Sequence, residues 1–193
     1  FPLDLQTGVD APPLKESDQF PANPESAYGW SKLMGELDAT YMANNGIDSN
    51  VLVLHNVYGT PCDFSSNRAQ AIPALAYRTL KASEGNKQLI VWGNGEQGRA
   101  FVHVDDVINA LTSVLDAPAN IGPIQIGPSE CTSIKSIAEY LIEIVDRDIE
   151  IKYDLTKPIG DKGRCADFSK ANKILGWSPT VSIKDGLADL VNW

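Results

Sequence analysis

Histidine is scarce in this sequence: His55 and His103 are the only two among 193 residues, which excludes a multi-histidine metal centre. Cysteine is nearly as rare. Cys62, Cys131 and Cys165 are odd in number and far apart, so the expectation is a reducing compartment, with neither a disulfide framework nor a thiolate metal site. No run of Lys or Arg offsets a net charge of -9, which argues against nucleic acid and anionic membrane surfaces as partners. No apolar stretch approaches the ~20 residues that span a bilayer. The opening residues do not read as a signal peptide, and Phe1 rather than Met suggests that the native start is missing. Internal repeats and low-complexity tracts are absent. What is left, 43% hydrophobic and 21% charged, is an ordinary globular mixture, long enough to bury a real core.

Against that background one stretch stands out. Ser26-Ala27-Tyr28-Gly29-Trp30-Ser31-Lys32, followed by Leu33-Met34-Gly35-Glu36-Leu37, reads as the opening of a helix. Pro24 and Glu25 suit its first turn, and Asn44-Asn45-Gly46 supplies a stop. Tyr28 and Lys32 are four residues apart, so their side chains lie one above the other on one face. A phenol ionises near pH ~10 and is a poor base at neutrality. An ammonium a few ångströms away favours the phenolate and makes it a usable acid/base. Any helix can carry Tyr and Lys at this spacing, so the pair gains meaning only from the rest of the chain.

Residues 1–24, with Pro2, Pro12, Pro13, Pro21 and Pro24, read as an extended loop in which Lys15-Glu16-Ser17-Asp18 is a solvated patch. Asn50 to His55 reads as a parallel strand covered on both faces. A loop from Asn56-Val57-Tyr58-Gly59-Thr60-Pro61 to Asn67 follows, at the strand end where ligands usually sit. Residues 68–83 read as a second helix. Gly93-Asn94-Gly95-Glu96-Gln97-Gly98 matches the dinucleotide-loop spacing, but that loop must open a helix. Here Arg99 to Val104 reads as a strand, so the glycines are expected to turn a hairpin back onto Gln88–Trp92. Asp105-Asp106 is expected to cap a helix to about Asp116, with Val107, Ala110, Leu111, Val114 and Leu115 on its buried face. Further elements follow: a strand at 123–127, a helix from Thr132-Ser133, a strand at 149–153, a loop carrying Arg164, a helix at 169–175 closed by Gly176, and a last helix opened by Ser182. Alternating strands and helices define the α/β class.

Tyr28-x-x-x-Lys32, Asn56-Val57-Tyr58-Gly59, Gly98-Arg99-x-Phe101-Val102-His103-Val104-Asp105-Asp106, Asn120-Ile121-Gly122, and Arg164 to Leu175-Gly176-Trp177-x-Pro179 occur in this order over nearly the whole chain. In that series the sequence resembles the extended short-chain dehydrogenase/reductase family, and within it the nucleotide-sugar epimerases and dehydratases. The resemblance implies the carboxyl-terminal part of a Rossmann-type doubly wound parallel sheet plus a small mixed α/β substrate-binding lobe. Residues 1–115 would be the partial Rossmann-type portion, with lobe segments interleaved at about 59–100, and 116–193 mainly the lobe. It also implies a cytoplasmic enzyme, a homodimer in the parent protein, with a nucleotide-sugar substrate and NAD, or alternatively NADP, as cofactor.

Roles carry over residue by residue. Tyr28 would exchange a proton with a sugar hydroxyl while hydride passes to or from the nicotinamide. Lys32 would tune Tyr28 and bind the nicotinamide ribose, so both residues touch the cofactor. Asn56 would touch substrate, and Arg99 and Arg164 would clamp the pyrophosphate, work that suits a planar guanidinium. His103 and Asp105 would be capping and packing groups. The sequence also departs from the family. The glycine-rich βαβ unit and the catalytic Ser or Thr belong before Phe1, so the chain is expected to be inactive alone. Val53 stands where the family often has arginine, and Thr60 where it has proline. Two alternatives stay open: a non-catalytic nucleotide-sugar binding module, and a fragment of a carbonyl reductase of the same family. Arg99 and Arg164 favour nucleotide-linked substrates over the last.

Overall fold

Ser26 opens the first helix. Its backbone is extended and its hydroxyl accepts from the Gly29 N–H, so α1 runs Ala27–Asn44 and leaves Pro24 and Glu25 outside. The structure is a computed structural model that describes residues 1–8, 11–64, 69–157 and 162–193. After α1 come β1 (Val51–Leu54), β2 (Asn56–Tyr58), α2 (Ala71–Glu84), β3 (Gln88–Trp92), β4 (Gly98–Arg99), β5 (Phe101–His103) and α3 (Val104–Leu115). The second half holds β6 (Pro123–Ile126), β7 (Thr132–Ser133), α4 (Ile134–Val145), β8 (Glu150–Asp154), β9 (Gly163–Arg164), α5 (Ser169–Leu175) and α6 (Ile183–Asn192).

Four strand pairs among the described residues are parallel: β1 with β6, β2 with β5, β3 with β8, and the short β4 with β9. Parallel neighbours need a crossover, and helices supply most of it here. Asn56–Tyr58 is strand rather than the expected loop. At His55 the chain changes partner: His55 N donates to Ile126 O, and Asn56 N to Ala100 O. One buried cluster joins Leu75, Leu89, Val91, Phe101, Leu141 and Leu187, and a second joins Val102, Val107, Ala110, Ile124, Ile126 and Trp177. The second covers β1, β2 and β5 through Leu52, Val57 and Val102. Among the described residues no helix is long and apolar enough to cross a membrane.

Several local expectations are corrected. Gly93 and Gly95 do turn the chain at positive φ, but no hairpin forms. β3 pairs with β8, while β4 lies between β7 (antiparallel) and β9 (parallel), so both edges of β4 are already filled. The turn instead docks on α4, whose Ile134 and Lys135 N–H groups donate to Gln97 O and Gly95 O. His103, not Asp105-Asp106, caps α3. Asp106 is buried within the first turn, where its carboxylate accepts from Thr180 N and Oγ1 and from Val181 N. On the same helix Leu111 and Leu115 are exposed, because the packed face ends at Val107 and Ala110. The first 24 residues are not plain loop. They contain 3-10 turns at Leu3–Gln6 and Glu16–Gln19, and Glu16 accepts from Gln125 N, so the acidic patch is partly tied to the sheet. Arg68, the expected start of the second helix, and Asn67 lie outside the described residues; α2 begins at Ala71.

The cysteines are also corrected. Cys131 and Cys165, 34 residues apart with Cα atoms at 5.3 Å, form a disulfide. The pairing follows from topology. β4 gathers β7 and β9 onto its two edges, and the two cysteines flank those strands. Cys62 is the free one.

Candidate active site

α1 presents Tyr28, Lys32 and Glu36 on successive turns, and all three line a cleft of ≈ 600 Å³. Residues of β1 and Arg164 line it too. Lys32 Nζ lies 5.3 Å from the centre of the Tyr28 ring, as the four-residue spacing predicts. Tyr28 is 71% exposed, a side chain left uncovered by the rest of the chain. Gly29 lets the loop press onto the helix: a Cβ there would sit 2.8 Å from Pro24 Cβ. Buried Gln19 donates to Glu36 Oε2 at 2.5 Å, fixing the third turn of that wall.

Arg99 and Arg164 are register partners on β4 and β9, and both are half-buried. Ala100 N donates to Arg164 O at 2.9 Å, and Arg99 Nη1 donates to Gly98 O at 2.7 Å. Arg164 lines the cleft with Tyr28 and Lys32, whereas Arg99 and Asn56 are not among its lining residues. Asn56 sits in β2 opposite Phe101. The Nε of Arg164 is buried without a hydrogen-bond partner. Its charge also reaches His55. Burial first, and then that charge, push the imidazole down to about 4, against the hydrogen bond it makes to Gln125, which works the other way. His55 is therefore neutral at pH 7. Its Nε2 lies 2.9 Å from Gln125 Oε1, an acceptor, so that nitrogen carries the proton.

Among the lining residues that the sequence reading did not assign to the site are Gln6, Gln19 and Glu36. Glu36 was within reach, being eight residues after Tyr28 on the same helical face. Gln6 and Gln19 gave no such signal, since they come from short turns in a segment without periodicity. Both are buried; Gln6 Nε2 donates to Pro2 O, while its Oε1 has no partner. Among the described residues no cluster of His, Cys, Asp and Glu could hold a metal ion.

Parallel strands joined through helices, with a Tyr-x-x-x-Lys helix beside the sheet, define a Rossmann-type α/β protein. More particularly, residues 6–127 match the NAD dependent epimerase/dehydratase family, and the chain belongs to it. It is 34% identical over 190 residues to GDP-mannose 3,5-epimerase 1 of Oryza sativa subsp. japonica, covering 98% of this chain and 48% of that protein. It is 32% identical over 186 residues to GDP-L-fucose synthase 1 of Arabidopsis thaliana, covering 94% and 57%. Among solved structures, a UDP-glucose 4-epimerase of Thermotoga maritima with UDP-glucose superposes with a TM-score of 0.80 at 30% identity, covering 88% of this chain and 53% of that one. A UDP-glucuronic acid 4-epimerase of Bacillus cereus, in complex with UDP-glucuronic acid and NAD, gives 0.79 at 30% identity, covering 97% and 58%. The chain thus spans about half the length of its relatives.

Proposed function

We propose that this chain forms the substrate-facing part of an NAD(P)-dependent nucleotide-sugar epimerase or dehydratase, with Tyr28 as the acid/base. The observation that carries this reading is the shared cleft: Tyr28, Lys32 and Arg164 all line it, and Arg99 stands in register beside Arg164. The proton-handling group and a diphosphate-binding cation thereby face one ligand. Tyr28 Oη takes or returns the proton of a sugar hydroxyl. Lys32 holds a positive charge beside the ring, where it attracts the charge that develops on that oxygen as the proton leaves. Arg164, which lines the cleft, binds and orients the diphosphate, Arg99 in register beside it adds positive charge, and a phosphate oxygen would satisfy the Arg164 guanidinium, whose Nε lacks a partner. In a chain of net charge -9 such a local positive site is needed to draw in an anion.

The residues present fit one end of a dinucleotide. Lys32 would bond the nicotinamide ribose, and when bound the nicotinamide would supply the redox chemistry. The phosphate end has no cradle among the described residues, because Gly93–Gly98 leads into β4 and not into a helix N-terminus. The test is steady-state turnover by the protein as its gene encodes it, with NAD and GDP-mannose or UDP-glucose. Tyr28→Phe should lower kcat by ~10²-fold or more while leaving nucleotide-sugar affinity nearly intact. Unchanged turnover would rule Tyr28 out as the acid/base.

A further inference from the structure

Cys131 and Cys165 bracket the two arginine-bearing strands. Cys131 precedes Thr132, the partner of Arg99 on one edge of β4, and Cys165 follows Arg164, its partner on the other edge. β4, β7 and β9 have only two residues each, too few ladder bonds to hold a sheet unaided. The disulfide crosses β4 so closely that a Cβ on Gly98 would lie 2.9 Å from Cys131 Cβ. The two sulfurs are not equally secured by other contacts. Cys165 O accepts from Leu14 N at 3.0 Å, and Leu14 O from Asp167 N at 2.8 Å, so that side is pinned to the amino-terminal segment. The Cys131 side is held by the β7 pairing, by Ser133 capping α4 and by one longer bond of 3.2 Å from Ala166 N to Pro128 O.

We infer that Cys131–Cys165 is a thiol–disulfide switch on the arginine pair. Closed, it fixes the spacing of the strands bearing Arg99 and Arg164; opened, it frees the Cys131 side and the pair loses its preset geometry. The functional consequence rests on the nucleotide-sugar reading of those arginines. The co-reactant is a dithiol. Its thiolate attacks Cys131 Sγ, on the less buried of the two residues, forming a mixed disulfide and releasing Cys165 as a thiolate that takes up a proton. The second thiolate of the reductant then attacks its own sulfur in the mixed disulfide. It leaves as a cyclic disulfide and releases Cys131, which is protonated in turn. The protein gains two electrons and two protons, and the dithiol loses as many.

Alkylation in denaturant, followed by mass spectrometry, counts the thiols. Air-oxidised chain should take one alkyl group, at Cys62, and dithiothreitol-reduced chain three; three before reduction overturns the inference. Reduced chain should stay folded by circular dichroism. Its amides at 97–100 and 131–134 should exchange about tenfold faster than in the oxidised chain, reflecting local opening. Unchanged exchange, or global unfolding on reduction, overturns the switch. In calorimetric titrations of GDP-mannose and UDP-glucose, reduction should weaken binding about fivefold or more, the cost of ordering two arginine side chains afresh. Cys131→Ser should bind at that weaker level with or without dithiothreitol. Equal affinity in both redox states overturns the switch and leaves the proposed function standing. Absence of binding in both states counts against the proposed function, and the exchange data still decide the switch.

Discussion

Acidification should destabilise this chain through His55. The imidazole is only 7% exposed and is held neutral by burial, with a folded-state value of about 4 against 6.5 in an unfolded chain. Between those values the unfolded state binds a proton that the folded state refuses. The associated stability is therefore complete above pH 6.5 and is lost as pH falls through the window towards 4. A gap of about two and a half pH units corresponds to roughly 3 kcal/mol, most of it spent by pH 4.5. The assay is urea unfolding at pH 7.0, 5.5 and 4.5 for wild type and His55→Gln. Carboxylates also titrate in acid, and Asp167, whose carboxyl is held low by hydrogen bonds from Ser169, acts in the same direction. The informative quantity is thus the difference between the two proteins. Wild type should lose about 2–3 kcal/mol more than His55→Gln between pH 7.0 and 4.5. Parallel pH profiles would refute the reasoning, since they would mean that His55 is protonated in the folded chain at no cost.

Three further outcomes are expected. Asp106→Ala should cost about 3 kcal/mol or more in urea unfolding, because the buried carboxylate accepts from three donors at Thr180 and Val181 that would lose their partner. Lys32→Met, assayed in the gene-encoded protein, should lower kcat and raise the NAD concentration needed for half-maximal rate; a change in neither would remove Lys32 from the site. Calorimetry should find NAD binding to the 193-residue chain far weaker than the roughly micromolar range of a working site, since Gly93–Gly98 opens no helix. Tight binding would restore that turn as a phosphate loop.

What was legible in the sequence was local or ordered along the chain. The 3.6-residue period placed Tyr28 over Lys32, and Ser133, Gly176 and Ser182 ended or opened helices where cap chemistry says they should. The order of the short motifs pointed to the family before any contact was known. Strand partners were a different matter. Nothing local says that β4 would leave β3 for β7 and β9, because two-residue strands carry no alternation to read. The disulfide was hidden for the same reason, as Cys131 and Cys165 meet only after β4 has gathered its neighbours. Asp106 looked like a cap because an acidic pair at a helix start usually is one. Its real partners, Thr180 and Val181, lie more than seventy residues away. The cleft was half legible: its helical wall follows from spacing, while Gln6 and Gln19 reach it from turns that no period announces.

The shared cleft is tested most directly by titrating GDP-mannose and UDP-glucose, and separately free mannose and glucose, into wild-type and Arg164→Ala chains by calorimetry. A charge-assisted guanidinium–phosphate contact contributes on the order of 1.5–3 kcal/mol. Arg164→Ala should therefore bind both nucleotide-sugars about tenfold or more weakly, with the free sugars unaffected. Equal affinity of the two proteins for the nucleotide-sugars would contradict a diphosphate site beside Tyr28 and Lys32.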